Sequence, residues 1–478
     1  MRKSIPFLLL ACILLSLVAC TAIAVPKEAE IPLRTTAYVI EAELRPETHT
    51  LNVSTTIHYT LPQDLAAVKL RLYANAYQAP IVSADKMSDT YPNGFSAGSC
   101  EVLSVTGSEE YPSYEVGVED PTLLTVRLAS KHARGDEITL TLRLQVTLAN
   151  VRHRLGYDSD SYTLSGFYPV MCPFEDGKYR VDPYYTYGDP FLHEVSDFDV
   201  TLTLPTKVEA AASVLPSEVR TERFDTIRHY RAESMREFAC VVSPRLLCKE
   251  TKADDVTVRY YYEKDSRSAD TLAYIQEALH TFEEAFGKHP YSSFSVVQAP
   301  FCEAGMEFSG LAIVNKDLSS SERKRTILHE TAHEWWHGKV GSDEVRYPWQ
   351  DEALAEYSVL YFYKCHNAES SYKQLVDDAT EEYAIFAAIK GDAEVQHPLS
   401  IGEEGYAECT YRKGLLMMSS LAETVGFERV NQMLKSYAEK YAGKIAPPEG
   451  FLEIMKEVTD EAGADHFTQW LYTPLPIE

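Results

Sequence analysis

Apolar residues recur at every second position along much of the first half of the chain. Leu51, Val53, Ile57 and Tyr59 form one such run. A period of two is typical of a strand with one face buried, and turn-forming residues separate successive runs. The clearest runs cover residues 51–59, 68–72, 138–148, 198–204 and 256–260. The pattern predicts an N-terminal antiparallel β domain over residues 34–262.

The hydrophobic spacing changes after residue 265. Leu272, Ile275 and Leu279 fall at helical spacing until Gly287 ends the run. Short strands are predicted at residues 294–297 and 311–314, and helical spacing then dominates to the end of the chain. The sequence therefore predicts an α+β, multidomain fold whose second, mainly helical domain occupies residues 263–478.

Residues 1–33 differ from both of these regions and are typical of an export signal with a short linker. Arg2 and Lys3 precede an apolar stretch at residues 7–18, which is too short to cross a bilayer as a helix. Since no later segment approaches eighteen uninterrupted apolar residues, the remainder is expected to be soluble. The mature protein is expected to act outside the cytoplasm.

The sequence at the end of this signal indicates whether the mature protein is anchored to a membrane. Leu-Val-Ala-Cys at residues 17–20 resembles the lipobox of bacterial lipoproteins, whose cysteine is acylated. We therefore expect a protein of the bacterial cell envelope, lipid-anchored at Cys20. The alternative is a secreted or periplasmic soluble protein cleaved after the Ala-Ile-Ala sequence at residues 22–24.

The amino-acid composition is that of a folded globular protein and argues against a nucleic-acid-binding function. The chain has 478 residues, of which 45% are hydrophobic and 24% charged, as in folded globular domains. The formal net charge of −26 and the absence of a dense run of lysine and arginine exclude a long-range attraction to nucleic acid. Seven of the nine cysteines lie outside the signal region. A disulfide between Cys240 and Cys248 and a set of free thiols are both compatible with their spacing.

A capped helix carries the first group of chemically informative residues. Ser319 and Glu322 have the spacing of a capping box. His329 and His333 are four residues apart on the helix that follows, so both imidazoles lie on one face and can reach a single tetrahedral metal ion. Glu330 projects beside them. This His-Glu-x-x-His pattern is the metallopeptidase arrangement, and the alternative is a helix with two hydrogen-bonded surface histidines.

A catalytic zinc site needs a third protein ligand and an open position for water. Glu352 lies nineteen residues after His333, near the start of a second helix that is predicted to begin at Pro348. One Zn²⁺ ion bound by two imidazoles and this carboxylate is the expected cofactor. Glu356 lies one turn further on and is either a hydrogen-bond acceptor for a ligand histidine or a solvated glutamate.

Residues 329–338 and 349–357 together resemble the gluzincin zinc aminopeptidases typified by aminopeptidase N and leukotriene hydrolase. In that family a Gly-x-Met-Glu loop precedes the zinc helix, and Gly305, Met306 and Glu307 occupy the corresponding positions here. The resemblance implies a thermolysin-like catalytic domain in which the loop aligns the peptide as an added strand. It also implies that the carboxylate of Glu307 pairs with the free α-ammonium of the substrate.

A second family element is Tyr-x-Lys-Gly, which matches residues 411–414. The resemblance implies that Tyr411 donates a hydrogen bond to the oxyanion of the transition state. The long helical C-terminal domain of larger family members is not expected, since eight residues follow Trp470. The β-domain residue that helps to bind the amine in the family is not identified, and Glu175 is only a weak candidate.

These observations predict a zinc-dependent aminopeptidase that acts on peptides with a free N-terminus. Glu330 is the expected general base for a zinc-bound water. The alternatives are an endopeptidase or a non-peptide hydrolase on the same fold, or a non-catalytic, lipid-anchored binding protein. The oligomeric state does not follow from the sequence.

Overall fold

The computed structural model describes residues 36–107, 112–396, 401–459 and 461–476. The predicted export signal and Cys20 lie outside the described residues. Within the described residues, no helix is long and apolar enough to cross a membrane.

Strands dominate the chain up to residue 243, interrupted by the short helix α1 (Met87–Thr90) and a 3₁₀ segment at Tyr73–Gln78. The strands are β1 (Thr36–Arg45), β2 (Thr50–Thr60), β3 (Leu65–Arg71), β4 (Ser99–Gly107), β5 (Ser113–Val116), β6 (Leu123–His132), β7 (Glu137–Thr147), β8 (Leu155–Asp158), β9 (Ser161–Leu164), β10 (Val170–Met171), β11 (Phe174–Glu175), β12 (Lys178–Tyr179), β13 (Ser196–Pro205), β14 (Glu209–Ala212), β15 (Pro216–Thr221), β16 (Asp225–Met235) and β17 (Cys240–Ser243).

A seven-stranded sheet with the order β15-β16-β13-β1-β2-β7-β4 is the main structure of this region. Two four-stranded sheets, β10-β3-β6-β5 and β14-β17-β9-β8, and the hairpin β11-β12 accompany it. The apolar positions of β7 are buried and the intervening ones are mostly more exposed, which confirms the alternation predicted for residues 138–148.

One pairing in the seven-stranded sheet differs from the expected antiparallel arrangement. β1 and β13 are parallel, with Ala37 opposite Asp197, whereas the other pairs of this sheet are antiparallel. Alternation of apolar residues specifies which face of a strand is buried, but it does not specify the direction of the neighbouring strand. The sheet is therefore mixed.

A five-stranded sheet supports the candidate site. It contains β18 (Leu247–Ala253), β19 (Val256–Tyr262), β20 (Ser293–Ala299), β21 (Gly305–Phe308) and β22 (Leu311–Asn315), in the order β18-β19-β20-β22-β21. Every residue of β20 is buried, as expected for a strand covered on both faces. Strands on both sides of residue 262 share this sheet, so the division into domains at that residue remains a prediction.

The remaining chain is mainly helical, which completes the predicted α+β fold class. Its helices are α2 (Ser268–Phe286), α3 (Ser320–His333), α4 (Glu352–Cys365), α5 (Glu369–Lys390), α6 (Gly402–Ala407), α7 (Gly414–Val425), α8 (Phe427–Lys440), α9 (Pro448–Thr459) and α10 (Glu461–Tyr472), with a 3₁₀ turn at Pro348–Gln350 and π-helical turns at Glu334–Lys339 and Glu408–Lys413. A core that includes Trp335, Trp336 and Trp349 fixes α3 and α4 against the five-stranded sheet.

The cysteines of the described residues form no disulfide. Cys240 is buried and Cys248 is exposed, and both are free thiols. Of the two alternatives that the sequence leaves open, the structure contains the free thiols.

Candidate metal centre

Helix α3 begins with the predicted capping box. The Ser319 hydroxyl accepts a hydrogen bond from the Glu322 backbone N–H, and the Glu322 carboxylate accepts one from the Ser319 backbone N–H at 2.9 Å. Two of the N–H groups that a helix leaves unpaired at its start are thereby satisfied. The cap fixes the start of the helix that carries both histidines.

The three predicted metal ligands converge. Nε2 of His329 lies 3.1 Å from Oε2 of Glu352 and 3.0 Å from Nε2 of His333. Oε2 of Glu352 also lies 3.5 Å from Nε2 of His333. Two imidazole nitrogens from α3 and one carboxylate oxygen from α4 therefore face one point. This donor set fits a tetrahedral zinc ion with one position open to water.

Two carboxylates contact the Nδ1 atoms of the histidines, the ring nitrogens that are not directed at the candidate metal position. Oε1 of Glu356 lies 3.2 Å from Nδ1 of His329, and Arg325 donates hydrogen bonds to the same carboxylate. Nδ1 of His333 is hydrogen-bonded to the carboxylate of Asp351. Such contacts set the tautomer and orientation of ligand histidines. Glu356 is therefore buried and engaged rather than solvated, and Asp351 is a residue that the sequence analysis missed.

Neighbouring positive charges and hydrogen bonds lower the pKa values of two carboxylic acids at the site. Burial opposes ionisation of Glu352, but its hydrogen bonds with His329 and His333 outweigh that effect and hold the pKa of its carboxyl well below the usual range. In Glu356 burial is likewise outweighed, by Arg325 and His329, and the pKa falls to about 2. Both carboxylates are ionised at neutral pH.

Glu330 has the opposite character. Burial raises its pKa to about 7, with the histidines lowering it and Glu352 raising it. Its Oε2 has no hydrogen-bond partner among the described residues. A Cβ atom at Gly305 would lie 2.3 Å from Oε1 of Glu330, so only glycine leaves space for this side chain. A carboxylate with a pKa near neutrality suits a general base.

The Gly-Met-Glu residues lie in strand β21 rather than in a loop. β21 is the edge strand of the five-stranded sheet and pairs with β22 on one side only. Met306 packs into an apolar cluster on one face, whereas Gly305 and Glu307 face the zinc helix. The open edge therefore offers backbone hydrogen-bonding groups next to the candidate metal site.

Tyr411 lies in the π-helical turn Glu408–Lys413, and its hydroxyl contacts the proposed metal ligand Glu352. Oη of Tyr411 donates to Oε1 of Glu352 at 2.5 Å. Lys413 is buried and donates to the backbone oxygen of Leu475 at 2.9 Å. A Cβ at Gly414 would lie 2.7 Å from the Cβ of Ala353, so glycine allows α7 to approach α4. The lysine and glycine of the motif thus position the tyrosine.

A second group of charged residues adjoins the site and was not identified from the sequence. One atom each from Glu307, His337, Glu344 and Asp351 lie within 4.8 Å of one another, and all four residues are buried. They come from different segments that meet only in the folded chain. Glu175, the weak candidate for amine binding, instead forms an ion pair of 2.7 Å with Arg180.

Comparisons with known proteins show which sequences this chain is similar to. Residues 271–470 match the Peptidase family M1 domain. Aminopeptidase M1-C of Oryza sativa subsp. japonica is 25% identical over 303 residues, which cover 57% of this chain and 34% of that protein. Aminopeptidase M1-A of the same rice is 22% identical over 377 residues, which cover 74% of this chain and 42% of that protein. The chain thus spans about a third to two fifths of the length of these curated relatives.

Solved structures show the same fold. The M1 zinc metallopeptidase from Deinococcus radiodurans is 17% identical, with a TM-score of 0.69 over 93% of this chain and 95% of that chain. A mutant of that enzyme bound to a Tyr-Ser-Ala substrate has a TM-score of 0.67 and 16% identity, over 93% of this chain and 96% of the other. These structures share the two-part architecture of a β region followed by a helical region.

Proposed function

We propose that this protein is a zinc-dependent aminopeptidase that hydrolyses the N-terminal peptide bond of peptides. The observation that carries the proposal is the convergence of His329, His333 and Glu352 on one point, with Glu330 beside them and Glu307 on the adjoining strand edge. The match to a peptidase family model over residues 271–470 supports the same conclusion.

His329, His333 and Glu352 would hold a zinc ion, which would supply a Lewis acid and lower the pKa of a water bound to it. Glu330 is positioned to accept a proton from the attacking water, because its carboxyl group has a pKa near neutrality and its Oε2 is unpaired among the described residues. It then passes the proton to the leaving amine. Tyr411 donates its hydroxyl proton in a hydrogen bond to the oxyanion of the tetrahedral intermediate.

Strand β21 positions the substrate. A peptide added to the open edge of β21 gains main-chain hydrogen bonds that do not depend on its sequence. Glu307 pairs with the α-ammonium and thereby sets which bond lies next to Glu330. Because this ion pair fixes the N-terminus of the substrate, hydrolysis releases one residue from that end. A peptide without a free amine cannot form the ion pair.

A panel of amino-acid amides with a fluorescent leaving group tests the proposal. The protein is assayed with free and N-acetylated substrates, with a chelator, and after zinc is added back. We expect turnover of the free amines only, and only with metal. Cleavage of blocked peptides at internal bonds would instead indicate an endopeptidase. Zinc binding without turnover of any peptide would indicate a binding protein.

Glu330→Gln separates catalysis from metal binding. This variant keeps the size of the side chain and is expected to retain zinc while losing nearly all turnover. Zinc content is measured by inductively coupled plasma mass spectrometry. An unchanged rate in a variant with full zinc content would remove Glu330 from the mechanism.

Export and lipid attachment at Cys20 complete the proposal. They rest on the basic start of the chain, the apolar stretch at residues 7–18 and the lipobox-like residues 17–20. Metabolic labelling with a fatty-acid analogue in a bacterial host is expected to label the protein but not Cys20→Ala. Absence of label from the wild-type protein would favour the secreted or periplasmic alternative, and equal labelling of both proteins would show that Cys20 is not the acylated residue.

A further inference from the structure

A short segment connects the chain around Tyr411 with the chain around Glu352. This bridging segment, residues 393–396, follows α5. Lys413, two residues after Tyr411, donates a hydrogen bond to the first residue of the segment. Trp349, three residues before Glu352, donates one to the last residue. The segment therefore links the neighbours of two residues that are themselves in contact, since Oη of Tyr411 lies 2.5 Å from Oε1 of Glu352.

Lys413 is completely buried and uses all three N–H donors of its ammonium group. Nζ donates to Oη of Tyr383 at 3.0 Å, to the backbone oxygen of Leu475 at 2.9 Å, and to the backbone oxygen of Ala393. None of these acceptors is a carboxylate. Burial of an ammonium group without a hydrogen-bonded carboxylate is costly. Lys413 is therefore better explained by what it orients than by the stability that it adds.

Gln396 ends the bridging segment and uses both polar atoms of its side-chain amide. Its Oε1 accepts a hydrogen bond from Nε1 of Trp349 at 2.9 Å, and its Nε2 donates to the backbone oxygen of Arg346 at 2.6 Å. Trp349 is completely buried and lies in the 3₁₀ turn shortly before α4. Gln396 therefore fixes the approach to the helix that carries Glu352.

The C-terminal helix α10 holds the bridging segment from a third direction. The backbone N–H of Val395 donates to the oxygen of Trp470 at 3.2 Å, and that of Gln396 donates to the oxygen of Leu471 at 2.9 Å. Both acceptors lie in the last turn of α10, where carbonyl groups lack partners within the helix. The segment is thus anchored to α10 as well as to both parts of the site.

We infer that Lys413 and Gln396 are positioning residues that together hold the hydroxyl of Tyr411 against the carboxylate of Glu352. This inference rests on the proposed function, since it concerns the assigned donor to the oxyanion. Lys413 restrains the π-helical turn relative to the bridging segment, and Gln396 restrains the turn before α4. A misplacement of about 1 Å at a catalytic group can cost about 10²-fold in rate, so both restraints matter for turnover.

A double-mutant cycle with Tyr411→Phe tests the inference. Lys413→Met removes the ammonium group and keeps an unbranched side chain. If Lys413 acts through the tyrosine hydroxyl, Lys413→Met lowers kcat about 10–100-fold in the wild-type background and no more than about twofold in the Tyr411→Phe background. KM for an amino-acid amide and the zinc content should keep their wild-type values. An equal reduction in both backgrounds indicates a purely structural role and would overturn the inference, as would an unchanged kcat.

Gln396→Met applies the same cycle to the other end of the bridging segment. It keeps the length of the side chain and removes both of its hydrogen bonds. We expect a reduction of about three- to tenfold in kcat, again confined to the background that retains the tyrosine. This variant also carries the test if Lys413→Met does not fold, as judged by circular dichroism. Lys456→Met, at an exposed lysine of α9, is the control and should behave as the wild type.

The position of Tyr411 gives a readout that does not depend on turnover. Crystal structures of the metal-free wild type and of metal-free Lys413→Met are compared. We expect the distance from Oη of Tyr411 to Oε1 of Glu352 to stay within hydrogen-bonding range in the wild type and to exceed about 3.5 Å in the variant. The same distance in both proteins would overturn the role of Lys413.

The outcomes separate this inference from the proposed function. If the wild-type protein hydrolyses no peptide while Lys413→Met still displaces Tyr411, the proposed function fails and the positioning role stands. If Tyr411→Phe lowers kcat and Lys413→Met does not, only the role of Lys413 is overturned.

Discussion

Oη of Tyr411 donates a hydrogen bond of 2.5 Å to Oε1 of Glu352, whereas Oε2 of Glu352 faces the two histidines. The two oxygens of one carboxylate thus connect the proposed oxyanion donor with the proposed zinc ligands. This contact keeps the hydroxyl of Tyr411 at the edge of the metal centre before a substrate arrives. Preorganisation of this kind lowers the cost of stabilising charge in the transition state.

Tyr411→Phe removes the hydroxyl and preserves the ring. We expect kcat to fall about 10²–10³-fold, because the oxyanion loses one donor, while zinc content stays at one ion per chain. Steady-state kinetics on an amino-acid amide measure the change. Tyr472→Phe, at an exposed tyrosine of α10, is the control and should behave as the wild type. A normal kcat for Tyr411→Phe would contradict the assigned role.

Glu356→Ala removes the carboxylate that lies 3.2 Å from Nδ1 of His329. Zinc affinity is expected to fall about 10–100-fold, the usual effect of losing such a partner of a ligand histidine. Competition with a fluorescent zinc chelator measures the dissociation constant. Glu423→Gln changes an exposed glutamate of α7 and serves as the control. Equal zinc affinity in the wild type and in Glu356→Ala would show that the contact has no effect on the metal.

Gly305→Ala introduces a Cβ atom 2.3 Å from Oε1 of Glu330. Glu330 must then move, and a displaced base is expected to reduce kcat/KM about 10²-fold. Zinc binding should remain, because the three ligands do not contact this position. Ala304→Ser, at the exposed preceding residue, should have little effect. The test fails if Gly305→Ala hydrolyses the amides at the wild-type rate.

Removal of the metal is expected to lower the thermal stability. Nε2 of His329 and Nε2 of His333 lie 3.0 Å apart next to the Glu352 carboxylate. The three side chains are therefore already positioned to bind a cation. A ligand at 100 times its dissociation constant stabilises the folded state by about 2.7 kcal/mol. Differential scanning fluorimetry should show a lower Tm with chelator and recovery with zinc. His329→Ala should show no such response.

Glu194→Gln is expected to stabilise the protein in a pH-dependent way. Burial raises the pKa of Glu194 from 4.5 to about 7, so the folded state opposes ionisation that the unfolded state permits. Stability is therefore lost as the pH rises from about 4.5 to 7. The variant should gain up to about 3 kcal/mol at pH 8 and nothing at pH 4. A pH series of melting curves measures this, and an equal gain at both pH values would contradict it.

The fold class could be predicted from local sequence patterns. Burial of one face of a strand or helix imposes a regular spacing of its apolar residues. Ser319 and Glu322 predicted the start of α3, and Gly287 predicted the end of α2. The parallel pairing of β1 with β13 was missed. Alternation is the same for both directions of pairing, and the partner strand lies far away in the chain.

Within the candidate site, some residues could be identified from local sequence spacing, whereas others meet only through tertiary packing. His329 and His333 could be identified because four residues bring side chains to one helical face. Glu352 followed from the chemical need for a third ligand. The meeting of His337 with Glu344, and of Asp351 with His333, depends on how separate segments pack. No local spacing encodes such contacts.

The position of β1 has a consequence for the order of folding. β1 lies between β13 and β2 in the seven-stranded sheet, and Ala37 pairs with Asp197, about 160 residues later. During folding, one edge of β1 therefore stays unpaired until β13 reaches it. Unpaired edges invite association with other chains. A partly folded chain should therefore remain prone to association until β13 pairs with β1.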